Sequence, residues 1–134
     1  MKSEGIIRYS PKLLGDKSSH KWWVVLDCDD SIGKYYRHLF KLELFGCQIL
    51  QRPAWREHIT VIRDEEPPED RKQFWNKYAG LTVEYEYHLP PQTNGIYWWL
   101  SVSCDFLLNL REELGLAKMP SIPLHLSFAH NKET

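Results

Sequence analysis

Two runs of strict alternation constrain this chain more than any other feature. In the first, Leu81, Val83, Tyr85 and Tyr87 alternate with Thr82, Glu84, Glu86 and His88. In the second, Ile96, Trp98, Leu100 and Val102 alternate with Tyr97, Trp99, Ser101 and Ser103. A period of two belongs to a strand with one apolar face and one wetter face. Residues 90–95 separate the runs and end in Asn94-Gly95, a pair suited to the positive φ of a tight turn. The two runs are therefore expected to form an antiparallel hairpin. In its second strand the apolar set should face the helices, which leaves Tyr97 and Trp99 toward a cleft.

The rest of the chain supplies further strands at residues 5–10, 22–28, 47–51, 57–63 and 124–129, each short and rich in apolar or β-branched residues. Asp29-Asp30-Ser31 offers a helix cap, and Ile32, Tyr35, Tyr36, Leu39, Phe40 and Leu42 follow at helical spacing up to Gly46. Residues 69–79, closed by Gly80, and 105–114, closed by Gly115, read as two more helices. Residues 12–21 read as a loop and 64–68 as an acidic, proline-bearing turn. The predicted order is β, β, α, β, β, α, β, β, α, β. No regular parallel alternation runs through it, so the expected class is α+β with helices outside a mostly antiparallel sheet. The 134 residues suit one domain, and no internal repeat is visible by identity.

Charge and cysteine content narrow the function. The net charge of −1 gives no broad basic surface, which argues against a partner as large as duplex nucleic acid. No run is long enough to span a bilayer, so no membrane partner is expected, and no apolar run follows Met1-Lys2-Ser3-Glu4-Gly5 as in a signal peptide. Cys28, Cys47 and Cys104 are an odd, widely spaced set, read as free thiols in a reducing cytoplasm. Six Trp and seven Tyr are many for this length. Most should serve the core, with a few available to stack on a flat ligand ring.

Two short motifs carry the chemistry. On a strand, His58 and Thr60 point one way while Ile59 and Val61 point the other; His125 and Ser127 share a face opposite Leu124, Leu126 and Phe128. The same imidazole-plus-hydroxyl pattern thus stands twice, 67 residues apart (125 − 58). Breaking a phosphodiester needs a base for the attacking oxygen and an acid for the leaving oxygen. Imidazole titrates near neutrality, so a neutral and a protonated histidine divide those tasks. The hydroxyls donate to non-bridging phosphate oxygens. Neither strand shows a cluster at metal-ligand spacing, so no metal and no cofactor is expected. His20, His38, His88 and His130 lack the hydroxyl two residues on.

With these motifs the chain resembles the two-histidine phosphoesterase superfamily, the LigT-like proteins. Their signature is a pair of hydrophobic-His-hydrophobic-Thr/Ser motifs, one in each lobe of a bilobal α+β fold around a central cleft. Glu57 before the first histidine departs from the usual apolar residue. Within the superfamily, the short length and the run from Trp55 to Glu65 are most similar to phage anti-CBASS phosphodiesterases. The resemblance implies that His58, Thr60, His125 and Ser127 are catalytic. It also implies a cyclic di- or trinucleotide immune signal as substrate, cleaved in the host cytoplasm, with Tyr9 in the place of a base-holding tyrosine. Arg63 is a candidate for phosphate, and Tyr97 and Trp99 for a base. An RNA 2′,3′-cyclic phosphodiesterase and a non-catalytic nucleotide-sequestering protein stand as the alternatives.

Overall fold

The computed structural model describes residues 1–10, 21–43 and 57–130. The expected strand at 47–51, most of the loop at 12–21, Gly46, Cys47, Trp55, Arg56 and Lys132 lie outside the described residues. Within them the chain forms β1 (Lys2–Tyr9), β2 (Trp23–Cys28), α1 (Asp30–Glu43), β3 (His58–Arg63), β4 (Thr82–Thr93), β5 (Tyr97–Ser103), α2 (Asp105–Glu113) and β6 (His125–His130).

All six strands pair antiparallel and close in the order β1-β2-β3-β6-β5-β4. The α+β class and the predominance of antiparallel strands are as expected. Closure has no counterpart in the local pattern. It follows from β1, which pairs with β2 through Ile7↔Leu26 on one side and with β4 through Gly5↔Val83 on the other. The predicted hairpin is β4 and β5. Its turn is fixed by Asn94, whose Oδ1 accepts the backbone N–H groups of Ile96 and Tyr97.

Among the described residues the order of elements repeats. A unit β1-β2-α1-β3 is followed by a unit β4-β5-α2-β6, although the two share little sequence. Each unit sends its helix across to the other: α1 packs against β6, and α2 packs against β3. One apolar face of the strands joins the helices in a single core that includes Ile7, Leu26, Ile59, Leu100, Leu126 and Phe128, all fully buried, together with Leu107 of α2. Tyr36 of α1 enters the same core against the rings of Phe128 and Tyr87.

The third expected helix, over 69–79, does not form. The segment is a short 3-10 stretch, Glu69–Phe74, with turns after it and no buried residue of its own. Pro67-Pro68 precedes it, and Asn76 takes a positive φ of 68° that ends any helical course. Phe74, Trp75 and Tyr78 instead pack singly against the core, so local spacing yields to tertiary contact.

Candidate active site

The two motifs meet because β3 and β6 are neighbours. Ile59 and Leu126 are Cα partners in that pair. Continuing the antiparallel register sets His58 beside Ser127 and Thr60 beside His125. The two imidazoles therefore stand on a diagonal, with backbone positions about 7–8 Å apart for such neighbours. His58, Thr60, His125 and Ser127 are all half-buried, while Ile59 and Leu126 between them are fully buried. All four polar side chains line one cavity of about 360 Å³.

Both strands carry a β-bulge at the same place. In β3 the register with β2 runs Val25↔Thr60 and then Val24↔Ile62, which leaves Val61 as the extra residue. In β6 the register with β5 runs Trp99↔Ser127 and then Trp98↔Ala129, which leaves Phe128 extra. A bulge re-aims the side chains beyond it. Strict alternation would turn Arg63 to the core with Ile59 and Val61. After the bulge Ile62 is buried instead, and Arg63 comes round to the face of His58 and Thr60. In β6 the bulge likewise buries Ala129, and His130 lies beside Tyr97, with ring centroids 6.2 Å apart.

Arg63 joins this cavity to a second one of about 760 Å³, which also shares His125 and Ser127. The larger cavity adds Gln92, Asn94, Tyr97 and Trp99 from the hairpin. As expected from the alternation of β5, Trp98 and Leu100 are buried while Tyr97 and Trp99 face outward along the cavity. The Trp99 ring meets the His125 ring edge-on at 6.3 Å. The Arg63 guanidinium lies 4.7 Å above the Trp23 ring, and the Trp23 indole N–H donates to Asp64 Oδ1 at 2.8 Å. That stacking holds a cation at the rim of both cavities.

The protonation pattern of His125 is set by its surroundings. Its Nδ1–H donates to the carbonyl oxygen of Pro123 at 2.8 Å. A carbonyl only accepts, so Nδ1 carries the hydrogen of that bond. Glu65, on the wall of the smaller cavity, receives a two-pronged bond from Arg111 at 2.8 and 2.9 Å. That bond holds its carboxyl below the ordinary range, so its charge is balanced rather than presented to a ligand. The other two acids of the turn are also tied down, Asp64 to Trp23 and Glu66 to Lys72.

Tyr9 is the one expected site residue that stands apart. It lines neither cavity: its ring packs edge-on against Trp75 at 5.1 Å, and its hydroxyl accepts the backbone N–H of Tyr78. Burial pushes its phenol up to about 12. Glu57 likewise serves structure. It is fully buried, and Oε1 accepts from Arg37 of α1 at 2.7 Å. Gly33 makes room for it, since a Cβ there would strike the Glu57 carboxylate.

Sequence reasoning missed Gln92 and Asn94, because a turn segment gave no reason to place them beside Trp99. It missed Arg37 and Arg111 as well, since periodicity reports apolar positions and not a charge buried on one helix face. Among the described residues no cluster of three or more His, Cys, Asp or Glu offers a metal site, and no helix is long and apolar enough to cross a membrane. No family model, curated protein or solved structure matches the chain.

Proposed function

We propose that this chain is a two-histidine phosphodiesterase that cleaves a 3′–5′ phosphodiester bond in small cyclic di- or trinucleotides. His58 and His125 form the acid–base pair, and Thr60 and Ser127 donate to the non-bridging oxygens. The observation that carries this reading is the convergence of both motifs. They are far apart in the chain, lie on adjacent strands, and turn all four polar side chains into one cavity.

In this reading the phosphate occupies the smaller cavity, and Arg63 at the rim offsets its charge. A base lies in the larger cavity against Trp99 and Tyr97; the volumes suit a ligand of nucleotide size or somewhat larger. One imidazole removes the proton from the attacking oxygen, either water or the neighbouring ribose 2′-hydroxyl. The P–O5′ bond breaks, and the other imidazole protonates the departing O5′. The 2′-hydroxyl route leaves a 2′,3′-cyclic phosphate end. That route suits a cyclic oligonucleotide, whose nucleophile is already in place. The repeated unit, with one motif in each copy, supports a two-lobed architecture of the LigT-like kind. The resemblance to phage anti-CBASS enzymes supports bacterial cyclic-nucleotide alarm signals as the substrate class.

The test is product analysis. The protein is incubated with a panel of cyclic di- and trinucleotides in excess chelator, and with an RNA oligomer ending in a 2′,3′-cyclic phosphate. Linear products from at least one ring, formed faster than the RNA end is opened, are expected. No cleavage, or cleavage only after metal is added, contradicts the proposal. Faster opening of the RNA end replaces it with an RNA-end enzyme.

A further inference from the structure

A bulge takes a carbonyl out of the regular ladder, and a buried carbonyl needs another donor. Here both bulge residues are buried, Val61 at 1 % exposure and Phe128 at 0 %. In each case an arginine on the helix of the opposite unit is a donor. Arg111 of α2 donates from Nη1 to the Val61 carbonyl at 2.8 Å. Arg37 of α1 donates from Nη1 to the Phe128 carbonyl at 2.7 Å. The two arginines are themselves buried, at 1 % and 9 % exposure. Each is balanced by a carboxylate, Arg111 by Glu65 and Arg37 by Glu57. Arg111 also donates from Nε to the Ala117 carbonyl at 2.9 Å.

We infer that Arg37 and Arg111 are positioning residues. Each fixes the bulge that lies three residues past the other unit's histidine, and through it the direction of the imidazole and hydroxyl that precede the bulge. A guanidinium is suited to this because its rigid fork bonds a carbonyl and a carboxylate together. Its buried charge also penalises any movement that breaks those bonds. The arrangement makes the groove a joint product of both units: α2 sets the His58 strand, and α1 sets the His125 strand. The kinetic consequence rests on the phosphodiesterase reading; the positional one does not.

The test uses the full chain with Arg111→Lys and Arg37→Lys, thermal melting to select folded protein, and NMR of the two imidazoles. Arg111→Lys is expected to shift the His58 ring resonances and leave those of His125 in place, although Arg111 is nearer His125 in sequence. Arg37→Lys is expected to shift His125. On a cyclic dinucleotide, kcat should fall about tenfold or more while KM changes less than about twofold, as for a misplaced reacting group. A lowered melting temperature with both rings unmoved and kcat intact overturns the inference. So does a shift at His125 alone in Arg111→Lys. If a lysine variant does not fold, Glu65→Gln decides. That side chain is 36 % exposed, and its loss of charge slackens Arg111. The Val61 carbonyl-carbon resonance should then move with the His58 ring, and an unmoved carbonyl overturns the inference. Should the wild-type protein cleave no cyclic nucleotide, the functional reading fails, and the NMR pattern still decides the positioning role.

Discussion

At the scale of single residues, the contact that most restricts the chemistry is the bond from His125 Nδ1–H to the Pro123 carbonyl. In the proposed mechanism it leaves Nε2 to exchange the proton, and it holds the ring at one edge of the cavity. Replacing His58 or His125 with Ala is expected to lower turnover by roughly 10²–10⁴, the usual yield of a positioned general acid or base. Ligand binding should survive in both variants, as equilibrium dialysis with a cyclic dinucleotide can read. Trp99→Ala acts on the other axis. Loss of a stacked base costs about 1–3 kcal/mol, so KM should rise roughly tenfold or more with kcat little changed. Glu65 gives a pH dependence whose sign is fixed. Arg111 holds its carboxyl below the ordinary range, so the stability it adds is full above that range and is lost as pH falls through its lowered value. Glu65→Gln should therefore flatten the acid side of a melting-temperature profile. Burial pushes the Cys28 thiol up to about 12, and Cys104 is also raised. Both should resist alkylation at pH 8 in the folded protein and label fully once it is denatured, as peptide mass spectrometry would show.

At the scale of elements, the faces of the strands were legible and their irregularities were not. Alternation placed His58, Thr60, His125, Ser127, Tyr97 and Trp99 on the groove side because each sits on a strand with a clear apolar partner face. Arg63 is a groove residue for a different reason, the bulge at Val61, and nothing in the run Ile59-Thr60-Val61-Ile62 marks which residue will be left out of register. Tyr9 was suggested by the resemblance alone; on β1 its ring packs on Trp75 and lines neither cavity. The segment at 69–79 had helical spacing, but its aromatic residues found partners one by one. The fit between α1 and Glu57, the residue before β3, is testable through Gly33. Adding a methyl there forces the buried Glu57 carboxylate and its bond to Arg37 to shift. Gly33→Ala is expected to destabilise the fold by about 1–3 kcal/mol, the usual cost of overpacking, read as a lower urea midpoint with an unchanged slope.

At the scale of the whole molecule, the repeat of β-β-α-β explains how two remote motifs become neighbours. Each unit ends in a motif strand, the two final strands pair through Ile59 and Leu126, and each unit's helix packs on the other unit's final strand. Identity hides this repeat because the two units share element order and pairing rather than side chains; the histidine motif is what their sequences have in common. The central claim is that His58 and His125 act on the same phosphate as acid and base. The pH dependence of kcat/KM on a cyclic dinucleotide tests it most directly, measured for wild type, His58→Ala and His125→Ala. A bell-shaped profile in the wild type is expected, with one limb lost in each single variant and the other limb kept. A profile that keeps both limbs after either substitution would contradict the account.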